Sequence, residues 1–160
     1  MAALVRHRDE GPATWFVNGL AVTKATTADT GGAYALAEHL VSAAANPPHH
    51  VHTDEEESWY VLDGEIEFEV AGETAVAHPG SFVLSPRGEA HTFRVVTDTA
   101  RMLVISSSPD ATRRGDFERF VEAVGTPATA RVLPEPAAPD PAVLTTVAAE
   151  YGIEILPPPA

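Results

Sequence analysis

Four side chains in this sequence stand at spacings suited to holding one divalent metal ion. His50 and His52 are two apart in HHVHTDEEESWYVLDG, Glu57 follows five residues later, and His91 closes PGSFVLSPRGEAH. In an extended strand, side chains at i and i+2 leave the same face, so His50 and His52 can address one point. Residues 53–56 form a polar link of turn length, which lets Glu57 return to that point from the start of the next strand. His91 arrives on a strand after the Pro86-Arg87-Gly88 turn, and strand parity puts Phe93 and Val95 on its face. Three imidazoles and a carboxylate at about 2.0–2.2 Å suit a mid-to-late first-row ion. The expected cofactor is therefore one divalent transition metal, from among Fe, Ni, Co, Mn, Cu and Zn.

The neighbouring histidines and acids fit plainer roles. A single histidine is more often packed or exposed than a ligand, and His7, His39 and His78 are placed in that class. His49 has the opposite parity to the pair beside it, which puts it behind the ligands or in solvent. Glu55 and Glu56 are read as solvated acids, because a ligand at Glu56 would point away by strand alternation. Trp59 and Phe93 share the parity of Glu57 and His91 and are candidates to line a substrate pocket; plain core packing accounts for them equally well.

The composition narrows the classes of function. The chain has 160 residues and no Cys, so disulfides, thiolate-bound zinc and thiol nucleophiles are excluded. The formal net charge is −13, and between Lys24 and Arg87 there is no Lys or Arg but eleven acids. Such a surface repels nucleic acid and anionic bilayers, so neither is an expected partner. No apolar run reaches membrane-spanning length, and the N-terminus shows no secretory apolar stretch, which makes a cytoplasmic location the expectation.

The elements that must position the four residues are mostly short strands. Residues 15–24 and 33–41 are rich in apolar and β-branched residues, and SWYVL (58–62) is nearly continuous. The apolar character of both faces of SWYVL suggests cover on each side, one of them from a partner subunit. Asp63-Gly64 is a hairpin signal. In the following EIEFEV, Ile66, Phe68 and Val70 alternate with Glu65, Glu67 and Glu69, the pattern of a half-buried antiparallel strand. TAVA, SFVL, HTFRVV and RMLVIS complete a set that predicts a sandwich or barrel. Beyond Pro109, Phe117, Phe120, Val121 and Val124 form a helical stripe, with Asp116 as N-cap and Gly125 as stop. Residues 126–139 read as an extended linker, since eight of the fourteen prolines lie beyond residue 126. A second helix starts at Asp140-Pro141 and runs to Tyr151-Gly152, with Val143, Leu144, Val147 and Tyr151 as its apolar positions. The division expected is 1–110 for a barrel and 111–160 for a helical extension with a Pro-rich linker, in a single domain overall.

His50-x-His52, four residues, Glu57, six residues and Gly64 resemble the first motif of the cupin superfamily. Gly80, five residues, Pro86-x-Gly88, two residues and His91 resemble the second. The cupin pattern usually places Asn four residues after the last His, where this chain has Val95. TGGAYALAEHLV, the PPHH approach, PRGEAHTFRVV, FERFVEAVGTPA and AAEYGIEILPPP extend the resemblance toward bacterial single-domain quercetinase-like cupins. The resemblance implies an all-β jelly-roll barrel with short C-terminal helices packed outside it. It implies His50, His52, Glu57 and His91 as metal ligands, usually in a homodimer. The activity it suggests is a dioxygenase cleaving a flavonol or similar enolisable aromatic with O2, with Glu57 both ligand and base. Two alternatives stand beside it: a metal-dependent isomerase or epimerase that does not use O2, and a non-enzymatic small-molecule-binding protein.

Overall fold

In the computed structural model, residues 3–157 are described; Pro158 and Pro159, counted above in the proline-rich tail, lie outside them. Among the described residues, twelve strands form two antiparallel sheets that face each other. The larger sheet has the order β11-β1-β2-β3-β10-β5-β8, from β1 (Ala13–Phe16), β2 (Gly19–Ala25), β3 (Ala35–Ser42), β5 (Glu56–Asp63), β8 (Phe82–Ser85), β10 (Thr99–Ser107) and β11 (Thr126–Pro127). The smaller has the order β12-β4-β9-β6-β7, from β4 (His50–His52), β6 (Ile66–Val70), β7 (Glu73–Ala77), β9 (His91–Val95) and β12 (Ile153–Ile155). The chain passes repeatedly from one sheet to the other, as in a jelly roll. Side chains alternate in and out along each strand: Glu57, Trp59 and Val61 of β5 are buried, whereas Tyr60 and Leu62 face out. The inward set packs Trp59, Val61, Ile66, Phe68, Met102 and Val104 into one core.

Two turns differ from the expectation, each for a local reason. Residues 15–24 are not one strand, because Val17 and Asn18 both take positive φ (45° and 61°) and close a two-residue hairpin between β1 and β2. Asp63-Gly64 is not a hairpin either, since β5 and β6 belong to different sheets. Gly64 sits at φ 76°, and a Cβ there would lie 2.5 Å from the Thr99 carbonyl oxygen, so only glycine lets the chain cross at this point. The N–H of Glu65 then donates to Thr97 Oγ1 at 3.0 Å, which ties the crossing to the β9–β10 connection.

The C-terminal segment covers one open end of the two sheets. Helix α1 (Asp116–Val124) starts one residue earlier than expected: Gly115 is the N-cap and Asp116 lies inside the helix. Helix α2 (Pro141–Glu150) is capped by Asp140, whose side chain accepts from the N–H groups of Ala142 and Val143. Its buried stripe is Leu144 and Ala148, and Val143 is 58% exposed, so the packed face is rotated from the expected one. The connection between the helices is extended but anchored. Residues 126–127 pair with β1, Trp15 Nε1 donates to the Val132 carbonyl, and the Ala137 N–H donates to Asn18 Oδ1. Phe120, Leu144, Ala148 and Ile153 form a second apolar cluster that roofs the barrel.

Candidate metal centre

The four residues come together from opposite walls. Strands β4 and β9 of the small sheet supply the three histidines, and His50 is the direct cross-strand partner of His91. Glu57 reaches across from β5 of the large sheet. One ligand atom from each of His50, His52, Glu57 and His91 lies within 4.8 Å of all the others. Glu57 Oε2 is 3.1 Å from His91 Nε2 and 3.3 Å from His52 Nε2. Ligand atoms held about 2.1 Å from one ion would lie about 3.0–3.4 Å apart for right-angle to tetrahedral arrangements, so these two separations suit a shared ion.

The hydrogen bonds behind the histidines orient them. His50 Nδ1 lies 2.8 Å from the Pro48 carbonyl, so the N–H belongs there and the Nε2 lone pair is left for the centre. His91 Nδ1 lies 3.0 Å from the Glu89 carbonyl and 2.8 Å from Ser85 Oγ, which fixes the same tautomer. His52 Nε2 is buried and has no hydrogen-bond partner; Glu57 Oε2 is near it but off the direction of a hydrogen bond. An orphaned imidazole nitrogen facing a buried carboxylate is what a cation site requires, and the donor set fits a divalent transition metal.

The electrostatics agree with that fit. Burial, with the neighbouring His91 and His52 charges, pushes His50 down to about 3, so this imidazole is neutral and available as a ligand. Burial pushes the Glu57 carboxyl up, but the adjacent His52 and His91 imidazoles outweigh it and hold the group well below the usual carboxylate range. Burial lowers His91, yet its hydrogen bond to Glu57 and the Glu57 charge raise it overall. Glu57 thus enters neutral solution ionised.

Beside the cluster lies an apolar cavity with about 80 Å³ of free space. His50, His52 and Glu57 form its polar side, and Trp59, Phe93 and Met102 are among the residues that line the rest. Trp59 also packs on the His91 ring at a centroid separation of 5.5 Å. The C-terminal segment takes part too: Phe117, Phe120 and Leu144 close the cavity, so the helices do more than pack on the outside of the barrel. Val95, where the second motif would carry Asn, is a core residue 6% exposed and paired with Ile66. His49 turns to the other side of β4 and meets Glu69 at 3.2 Å. His78 is exposed and pairs with Glu65.

Sequence reasoning missed three features. Glu55, read as solvated, is 2% exposed and accepts from the N–H groups of Gly115, Asp116 and Phe117 at 2.9, 3.2 and 2.8 Å, so it caps α1. His39 is packed, and its ring lines the cavity itself. Strand β12 pairs with β4, with Ile153 opposite His52 and Ile155 opposite His50, so the tail backs the strand that carries both of these histidines. Only the short apolar alternation of Ile153 and Ile155 hinted at that pairing.

Comparison with known proteins agrees with this geometry. Residues 38–106 match the cupin domain family, a span that contains all four residues of the centre. No curated protein matches the sequence. Among solved structures, the polyketide cyclase RemF from Streptomyces resistomycificus is 29% identical, with a TM-score of 0.55 over 69% of this chain and 83% of that one. KdgF from Halomonas sp. is 15% identical, with a TM-score of 0.58 over 69% and 98%. The cupin domain of Cnp3 from Schizosaccharomyces pombe is 16% identical, with a TM-score of 0.52 over 64% and 72%. The last two likenesses concern the fold alone.

Proposed function

Starting from a chain with the cupin fold, we propose a metal-dependent enzyme acting on an enolisable, largely apolar ring compound, with O2-dependent ring cleavage of a flavonol-like substrate as the leading activity. The observation that carries this reading is a buried His/Glu cluster beside an otherwise largely apolar cavity. His50, His52, Glu57 and His91 would hold one divalent ion, which would supply Lewis acidity toward a hydroxyl and carbonyl oxygen pair of the substrate. The chain itself contributes the rest. Glu57 is the one ionised acceptor at the centre, and it can take the hydroxyl proton. Trp59 and Phe93 offer flat apolar faces to a ring, and the roof of Phe117, Phe120 and Leu144 keeps water out. A dry cavity of about 150 Å³ is known to hold a benzene-sized guest, so the 80 Å³ here must widen, by movement of these roof side chains, to admit a ring.

The test is oxygen consumption by protein reconstituted separately with Fe, Ni, Co, Mn and Cu and mixed with quercetin. Uptake above the metal-only control supports the dioxygenase; none with any metal removes it. A second reading, cyclisation or isomerisation without O2, is favoured by the 29% identity to a protein described as a polyketide cyclase. Turnover of an enolisable ketone under argon separates the two. A stable metal site with turnover in neither condition points to a binding protein. The same reading takes the working unit as a homodimer formed through the outward face of β5 and β8, where Tyr60 and Phe82 are paired across strands and exposed by 40% and 59%.

A further inference from the structure

His39 stands outside the four-residue centre, and nothing said so far uses it. It lies on β3, in register with Ala21 of β2 on one side and Met102 of β10 on the other, in the large sheet that also carries Glu57. It is 7% exposed, and its Nε2 is buried with no hydrogen-bond partner. It lines the same cavity as His50, His52 and Glu57. Phe117 connects the two regions: its ring stacks on His39 at 6.5 Å and meets His52 edge-on at 5.4 Å. A polar nitrogen left unpaired in an apolar wall is destabilising, and such a group in a ligand cavity is a fixed hydrogen-bonding point for a guest.

We propose that His39 is a second polar anchor, taking the hydroxyl or carbonyl oxygen at the far end of a ring compound whose near end is held at the His50/His52/Glu57/His91 centre. The proposal rests on the functional reading above and deepens it, because it selects ring compounds with oxygen at both ends over those with oxygen at one end only. Burial holds the imidazole down to about 4, so at neutral pH it offers one donor and one acceptor nitrogen and no charge. A neutral anchor suits a phenol or ketone and does not attract a carboxylate or phosphate. The competing occupant is a water shared with Ser106, whose hydroxyl is also buried without a partner and which borders a second chamber of about 40 Å³ together with His39.

The experiment uses the full chain loaded with Ni or Co and two hydroxypyranone probes, kojic acid and allomaltol, which share the chelating oxygen pair and differ by a single distal hydroxyl. Calorimetric titration gives the affinity ratio of the two probes, and metal analysis gives the occupancy. The expected result is a preference for kojic acid of about three- to tenfold in the native protein, the range of one neutral hydrogen bond. That preference disappears in His39→Phe and is partly kept in His39→Gln, with metal content and allomaltol affinity held in both. If His39→Phe does not accumulate metal-loaded protein, His39→Gln against native decides. An unchanged ratio in the variants overturns the anchor while leaving the ring-compound reading standing. Equal loss of the ratio in Ser106→Ala overturns it in favour of the shared water. Failure of both probes to bind the native protein overturns the ring-compound reading and the anchor with it.

Discussion

Glu57 differs from its three partners in origin as well as in chemistry. It crosses from the large sheet, whereas the histidines share the small one. Removing a histidine therefore takes a candidate ligand from a wall that stays in place. His50→Ala and His91→Ala are expected to lose most of the bound metal, and His78→Ala, exposed and paired with Glu65, to lose none, as read by metal analysis of purified protein. Glu57→Gln keeps the shape and a carbonyl ligand but no longer accepts a proton. It is expected to keep more of its metal than of its activity, with turnover down by about 10²-fold or more. His39 makes a prediction about pH. Its folded pKa of about 4 lies below the value of 6.5 for an unfolded histidine, so the unfolded chain takes up a proton first as pH falls. The stability it contributes is complete above about pH 6.5 and is lost as pH falls toward 4, on the order of 3 kcal/mol in total. Urea denaturation at fixed metal content should show a steeper loss over that window in the native protein than in His39→Phe.

At the scale of elements, the loop between β4 and β5 is fastened to the C-terminal segment at several points. Glu55 caps α1, Asp54 pairs with Arg113 at 3.1 Å, and the Thr53 N–H donates to the Gly152 carbonyl at 2.9 Å. Thr53, Asp54 and Glu55 lie between His52 and Glu57, so docking of the helices and the spacing of these two side chains are one mechanical unit. Burial raises Glu55, yet three N–H groups at a helix start favour its ionised form, and the helix terminus is the stronger structural reason for its place. Glu55→Ala is expected to cost about 1–3 kcal/mol of stability by urea denaturation, and Glu55→Gln less, since it keeps an acceptor. No sequence pattern announces such a cap, because residues 55 and 115 meet only in the folded chain. The two helices themselves were legible, one from the stripe of Phe117 and Phe120, the other from Asp140-Pro141. The face that α2 buries was not. Val143 and Leu144 are adjacent, both apolar, and packing alone chose Leu144.

At the scale of the molecule, the strongly acidic surface and the apolar outer face of β5 and β8 make opposite demands. The net charge of −13 keeps copies apart at long range, while Tyr60, Leu62, Phe82 and Leu84, each at least 38% exposed, favour cover. A dimer through that face is the expected outcome, and it should strengthen as salt screens the charge. Light scattering of the native protein tests the mass, and Phe82→Glu should shift it to the monomer. A native monomer at all salt concentrations would remove the dimer. Among the described residues no helix is long and apolar enough to cross a membrane.

The spacing of His50, His52, Glu57 and His91 was readable by itself, because strand alternation is a local rule and metal ligands must obey it. The alternation of Ile66 and Phe68, the short strands and the two helical stripes likewise followed from local periodicity, and with them the sheet-built fold. What only the folded chain decided was which sheet each strand joined, as at Asp63-Gly64, and which distant segments met. The tail that backs His50 and His52, the carboxylate that holds α1 and the imidazole that completes the cavity wall all arise from contacts between residues far apart in the chain. Those contacts depend on burial and register in three dimensions, and no local pattern encodes either.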